Sequence, residues 1–397
     1  MLDKVILLPY WITLSLRNRL YNKGVMKSVK AGVPTICVGN VTAGGTGKTP
    51  HVEMILRMLQ DNFEWGASNI AVLSRGYKRT SHGFQQVTRE GSAALFGDEP
   101  LQIKKKFPAV TVAVDKDRIE GADYLANPDR LKASKHVGKC WNSDFPAADI
   151  IVLDDAYQYR KLKADLNIVL VDFNRPVTKD RLLPFGSLRD LPKRIYDADI
   201  LIVTKCPSDM TDSEKEEFAR TLGFSEFSAS EHQGTRKKRK KVEKKQTILF
   251  TSINYGSAQK VYTTSDARYF YSKKLVMFSG IAKDTPFINY LSDYYKIIRT
   301  FKFPDHHKYT AADVDKLLSV IKHNPTAAVA TTEKDAQRIL DYVGMPHILM
   351  ERMFYIPISV DFVTEEEKRA FDNALIDLKI SSEQLLNQTQ TSPVPES

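Results

Sequence analysis

An α/β fold, with a mostly parallel sheet covered by helices and a second, smaller α/β domain after it, is the architecture this sequence predicts. Three observations predict it. Short β-branched apolar runs alternate with helical patterns, a glycine-rich turn joins the first run to the helix that follows, and the pattern lapses across residues 225–246 before starting again. With 397 residues and 42% hydrophobic content the chain can furnish a core for each domain. Its three cysteines, Cys37, Cys140 and Cys206, are odd in number and scattered. That argues against a disulfide framework or a zinc site and fits reduced thiols in a cytosol.

The chain opens on an apolar stretch, residues 5–16, far shorter than the roughly 20 residues a spanning helix needs. Asp3 and Lys4 give no positive start, and Arg17, Asn18 and Arg19 stand where a cleavage site would need small residues, so a signal peptide is not expected either. Tyr10 and Trp11 among aliphatics, with Lys4, Arg17, Arg19, Lys23, Lys27 and Lys30 nearby, suit a helix lying in a membrane interface. The same pattern suits an amphipathic helix packed on its own domain. Residues 1–30 are set apart on this account.

Candidate strands of the first domain, residues 31–225, are 35–38, 70–73, 110–114, 150–153, 168–171 and 201–204. The second series is 247–252, 275–278, 297–301, 328–331 and 355–360, with helices over 311–321 and 365–378, and defines a domain over 247–380. Between them lies a basic linker, 226–246, in which Ser, Gln, Gly, Lys and Arg dominate. The tail, 381–397, is too poor in apolar residues to order itself and is expected to be disordered. The linker also explains the charge. Six consecutive basic residues at 236–241, with Lys244 and Lys245 against Glu243, contribute +7 of the net +10 and leave +3 for the rest. One loop without interleaved aromatics is a poor nucleic-acid footprint, so no nucleic-acid partner is expected.

After the first strand comes Gly39-Asn-Val-Thr-Ala-Gly-Gly-Thr-Gly-Lys-Thr49, followed by the helical pattern Val52, Ile55, Leu56, Leu59. Glycines let successive N–H groups turn into one concavity, and the next helix adds its positive end, so the segment suits a polyphosphate. Thr42, Ala43, Gly44, Gly45, Thr46, Gly47, Lys48 and Thr49 are the candidate cradle, with Lys48 on the β- and γ-phosphates and the Thr49 hydroxyl on magnesium. Thr42 departs from the common pattern, which begins with glycine. The run Ile150-Ile-Val-Leu-Asp154-Asp155 places two carboxylates at the carboxyl edge of a buried strand, where magnesium needs hard oxygen ligands. Asp172 and Thr204-Lys205 close later strands and read as loop residues rather than ligands.

At this point the sequence resembles the tetraacyldisaccharide 4′-kinase family, from its N-terminal segment to about residue 360. The resemblance rests on Leu7-Leu8-Pro9 with residues 16–21, Val38-Gly39-Asn40, residues 44–50, Ser74-Arg75-Gly76-Tyr77 and Gly97-Asp98-Glu99-Pro100. It continues through residues 154–158, Leu183-Pro184, Leu188-Arg189, residues 279–282, residues 303–307 and residues 332–336. Tyr159 stands where the family usually has histidine, and the basic run at 236–245 is outside the family pattern. The resemblance implies a P-loop kinase-like fold and an enzyme on the cytosolic face of the inner membrane. With ATP and Mg2+, such an enzyme phosphorylates an acylated disaccharide lipid.

The resemblance further implies that Asp98 is the base that assists the acceptor hydroxyl and that His306 supports it. Because His306 falls in the second domain, the site would sit between domains and be completed by their closure. Arg75, Tyr77, Arg118 and Arg189 are the candidates for binding substrate or phosphate, arginine's planar fork suiting bidentate contacts. Glu99 joins Thr49, Asp154 and Asp155 as a candidate magnesium ligand. A membrane-anchored acceptor favours membrane contact for the N-terminal segment. The alternative is a P-loop GTPase or metallochaperone-type switch, since Thr204-Lys205 followed by Asp209 faintly resembles a guanine-reading loop, although its spacing is off.

Overall fold

The computed structural model of the chain describes residues 6–62, 64–238, 241–242 and 245–390. Helix α1 (Leu8–Asn22) precedes β1 (Thr35–Asn40), α2 (Lys48–Asp61) and β2 (Ile70–Ser74). Then come α3 (Asp98–Lys106), β3 (Thr111–Val114), α4 (Arg118–Ala126), β4 (Ile150–Asp154), β5 (Leu166–Asp172), β6 (Ile200–Thr204) and β7 (Gln246–Tyr255). The next stretch holds β8 (Lys274–Ser279), α5 (Thr285–Tyr294), β9 (Lys296–Lys302), α6 (Ala311–His323), β10 (Ala328–Thr332) and α7 (Glu333–Ile339). β11 (Met353–Ile356), β12 (Ile358–Phe362) and α8 (Glu365–Gln390) complete it.

Seven parallel strands, in the order β3-β2-β4-β1-β5-β6-β7, form the centre of the large sheet. Short antiparallel strands extend its two edges. Strand alternation explains why it is buried on both faces: Ile36 and Val38 of β1 face one core and Cys37 the other, and Ile150 and Val152 of β4 oppose Ile151 and Leu153 in the same way. On the first face lies α2, whose Val52, Ile55, Leu56 and Leu59 recur at helical spacing. The register pairs Val38 with Asp154, so the turn after β1 and the acidic end of β4 finish at the same edge. That edge is the carboxyl side of the sheet, where open α/β folds bind ligands.

The smaller sheet, β11-β10-β8-β9, is parallel over these four strands, with residues 259–260 antiparallel at one edge. Its outline departs from the sequence expectation in four ways. β7, expected to begin the second domain, pairs in parallel with β6 and belongs to the large sheet. Helix α8 also returns to the large domain: Phe371 and Leu375 enter its core, and the Trp65 indole donates to the Leu375 carbonyl at 2.9 Å. Residues 226–228 and 233–235 of the expected linker are strands, because the exposed edge of β7 offers backbone partners. The expected strand over 355–360 is two strands split at Pro357, which has no N–H for the ladder.

The tail differs too. α8 continues to Gln390, ten residues into the stretch expected to be disordered, while 391–397 lie outside the described residues. So do residues 1–5 and, within the basic run, Arg239, Lys240, Glu243 and Lys244. Among the described residues no helix is long and apolar enough to cross a membrane.

Candidate active site

The glycine-rich turn leaves β1 and enters α2 through three left-handed residues, Gly44, Gly45 and Gly47, at φ of 64°, 67° and 81°. A side chain would strain each of them. Thr42 needs no such freedom, because the chain there pairs with Leu188 and lies outside the positive-φ residues. The neighbouring Ala43 N–H donates to the Ser187 carbonyl at 2.6 Å. The loop is braced from below as well. Asn40 Nδ2 donates to the Thr46 hydroxyl at 2.6 Å, the Thr204 hydroxyl to the Thr46 carbonyl at 3.1 Å, and Lys205 to the Gly45 carbonyl and, at 2.6 Å, to Asp172. Thr204, Lys205 and Asp172, which read as loop residues in the sequence, therefore hold the loop's shape.

Lys48, the first residue of α2, lies 3.7 Å from Asp155, and Arg189 grips the same carboxylate with both terminal nitrogens at 2.8 and 3.2 Å. Burial would raise the Asp155 carboxyl, but Lys48, Arg189 and Arg118 outweigh it and hold the group low. Asp154 behaves in the opposite sense. Burial, then the charges of Glu99 and Asp155, push it up to about 6. One of its oxygens accepts from Ser74 at 3.0 Å, and the other, Oδ1, is buried with no partner. An orphaned buried carboxylate oxygen, at the sheet edge where the turn after β1 leads to Thr49 in the first turn of α2, is the donor chemistry a hard cation takes. No three His, Cys, Asp or Glu side chains among the described residues group so as to hold a metal ion.

Asp98 opens α3 and is buried, held by groups from the other domain. Arg338 of α7 donates to its Oδ2 through Nε at 2.9 Å and through Nη2, and His306 Nδ1 lies 3.3 Å from the same oxygen. Burial alone would raise the Asp98 carboxyl, but the His306 hydrogen bond and the Arg338 and Lys334 charges hold it well below the usual carboxylate range. His306 itself adopts φ of 60° and packs its ring 5.2 Å from that of Tyr77. Next to Asp98, Glu99 is ion-paired with Lys334, and its charge also acts on Asp154 while Lys48 acts on it. Glu99, next to Asp98, thus stands within electrostatic reach of Lys48 and Asp154.

The remaining sequence candidates divide. Arg189 reaches the turn, while Arg75 and Tyr77 are exposed at the end of β2. Arg118 does not present its fork to the crevice: it is buried, and its terminal nitrogens donate to the carbonyls of Asp115 and, at 3.4 Å, Asp154. As the first residue of α4, bonded to the carbonyl of Asp154, it braces the acidic strand end. Glu99 is likewise committed to Lys334. Sequence reasoning passed over Lys334 and Arg338; Lys334 lies in a motif already noted, and the spacing of Asp335 and Arg338, three apart on a helix, was the available signal.

A strand, a glycine turn, a helix and an acidic neighbouring strand, with a second domain closing over the edge, define the class: a P-loop α/β phosphotransferase. The family model of tetraacyldisaccharide-1-P 4′-kinase (LpxK) matches residues 4–377, and the chain belongs to that family. Among its relatives is the tetraacyldisaccharide 4′-kinase of Phocaeicola vulgatus, 35% identical over 359 residues, 89% of this chain and 88% of that one. That of Porphyromonas gingivalis is 35% identical over 371 residues, 92% of this chain and 94% of that one. The crystal structure of the "apo" form of LpxK from Aquifex aeolicus in complex with ATP superposes with a TM-score of 0.65 at 27% identity, covering 95% of this chain and 99% of that one.

Proposed function

We propose that the chain transfers the γ-phosphoryl group of ATP to the 4′-hydroxyl of a tetraacylated glucosamine disaccharide 1-phosphate, a step of lipid A biosynthesis. Beyond the family, the observation that carries this reading is the contact of Asp98 with His306 across the two domains, next to Glu99, which lies within electrostatic reach of Lys48 and Asp154. The N–H groups of residues 44–49 and the Lys48 ammonium would hold the phosphates, whose charge suits a helix N-terminus, while the Ala43 N–H, spent on Ser187, anchors the turn instead. Thr49 and Asp154 would hold Mg2+, which neutralises phosphate charge when bound. Asp155, kept ionised by Lys48 and Arg189, fixes that lysine's direction.

Asp98 takes the proton of the acceptor hydroxyl as its oxygen bonds the γ-phosphorus; the bond from that phosphorus to the bridging oxygen breaks and ADP leaves. Most of the rate comes from holding these groups in line. Arg75, Tyr77 and Arg189 stand around the opening and suit the acceptor's sugar and phosphate. Helix α1 turns Leu14 and Asn18 inward and exposes Leu8, Trp11, Ile12 and Leu16, a face suited to the cytosolic leaflet from which the acyl substrate is reached. The switch-protein alternative loses its one motif, because Lys205 is tied to Asp172 and the Gly45 carbonyl.

Incubation with γ-labelled ATP and acyl disaccharides tests the reading, a labelled lipid being the expected product. Asp98→Ala and His306→Ala should each lower turnover by about 10²–10⁴-fold while leaving ATP binding nearly intact. Full activity in either variant would remove the proposed base pair.

A further inference from the structure

Asp335 is fully buried and built into the small domain: its carboxylate accepts from the Gly280 N–H at 2.9 Å, the Tyr309 hydroxyl at 2.9 Å and the Thr332 hydroxyl at 2.7 Å. One turn along α7, Arg338 leans on this platform. Its Nη1 donates to Asp335 at 2.9 Å and to the Gly280 carbonyl at 2.7 Å, which fixes the plane of the guanidinium. The opposite edge of the fork, Nε and Nη2, then points into the other domain and lands on a single atom, Asp98 Oδ2. His306 Nδ1 meets that same oxygen and lies 3.2 Å from Arg338 Nη2. Because Nδ1 either donates to Asp98 or accepts from Arg338, the guanidinium also governs how firmly the histidine holds the acid.

Every contact therefore falls on Oδ2. Asp98 Oδ1 accepts no hydrogen bond from any described residue and, unlike Asp154 Oδ1, is not among the sealed orphan oxygens. A carboxylate that rotates freely offers either oxygen in many directions, whereas one pinned at Oδ2 offers Oδ1 in one. We infer that Arg338 is a positioning residue for the phosphoryl transfer: anchored on Asp335, its fork reaches across the domain boundary, pins Asp98 by one oxygen and turns the other toward the acceptor hydroxyl. The inference rests on the reading of Asp98 as the base.

The test is kcat and KM of the full chain with γ-labelled ATP and the acyl disaccharide 1-phosphate in detergent. Arg338→Ala should lower kcat about 100-fold, the scale of a misplaced reacting group, with KM for ATP unchanged. Methylguanidine in solution should restore part of that loss. Arg338→Lys, which keeps the charge without the fork, should fall between Arg338→Ala and the parent. A residue that acts only through Asp98 has nothing to position once Asp98 is gone, so Arg338→Ala added to Asp98→Ala should lower kcat no further. Parental kcat in Arg338→Ala or in Arg338→Lys would overturn the inference, and so would a double variant losing the product of both factors. The lysine variant decides the matter if the alanine variant does not fold. Full activity in Asp98→Ala beside a slow Arg338→Ala would instead place the fault in the assignment of the base.

Discussion

Replacing Lys106 by methionine probes the contact between the two domains away from the crevice. Lys106 ends α3 and its ammonium lies 2.6 Å from Glu53 of α2 and 2.9 Å from Glu333 of α7, so one cation serves a carboxylate in each domain. Glu53 is almost wholly buried, with Gln102 donating to its other oxygen at 2.7 Å. Losing the cation strands two carboxylates in a poorly solvated site, for which single-partner removal costs about 3–5 kcal/mol; the retained Gln102 bond argues for the lower end, about 3 kcal/mol. Burial, then the Glu53 charge, push Glu333 up to about 7 from 4.5. Its folded value lies above its unfolded one, so between those values the native state holds the extra proton and stability falls as pH rises. Without Lys106 that fall steepens: the variant should lose about 3 kcal/mol at pH 8 but only about 1–2 kcal/mol at pH 6, where a protonated Glu333 can donate to Glu53. Urea unfolding followed by tryptophan fluorescence at the two pH values measures it. A loss under 1 kcal/mol, or one independent of pH, would refute the reasoning.

Further outcomes follow from the same geometry. Lys48→Ala should lower kinase turnover about 10²–10³-fold, as loss of a charge-stabilising donor does, and unchanged turnover would argue against the phosphate cradle. Trp11→Glu with Leu16→Glu should cut partition onto anionic vesicles at least tenfold in a flotation assay, since each exposed side chain would bury about 1.5–3 kcal/mol of apolar surface there; equal flotation would leave α1 without a membrane role. In β1, a Cβ on Gly39 would overlap the Tyr157 Cβ, and the Tyr157 hydroxyl is fixed on the Arg194 carbonyl at 2.6 Å. Gly39→Ala should therefore cost about 1–3 kcal/mol, seen as a lower thermal midpoint; a midpoint equal to the parent's would mean that β1 and Tyr157 can separate freely.

What was legible in the sequence was whatever local pattern determines. The buried strands of the large sheet announced themselves by uninterrupted β-branched runs, and the phosphate turn by glycines whose positive φ no other residue adopts cheaply. Strand order was not legible, because nothing in residues 246–255 says which edge they join; that depends on β6 having one side unpaired. The same holds for α8, whose apolar stripe reads alike on either domain until Phe371 and Leu375 meet Trp65 and Met54. Among site residues, Asp98 and His306 came from resemblance alone. Arg338 and Lys334 were missed because cations on a short helix look like solvent-facing charges until the carboxylates they face, 240 and 235 residues away in the chain, are brought to them. Arg118 erred the other way: its type suggested phosphate, while its burial at the base of α4 turned it to carbonyls.

The small domain leaves the large one along β7 and comes back along β12, and these two strands pair antiparallel from Thr251 with Phe362 to Tyr255 with Ile358. A lobe hung on two adjacent, hydrogen-bonded strands cannot spin on its stalk as one on a single linker can. The paired junction that carries the lobe out and back is thus also what sets His306 and Arg338 opposite Asp98.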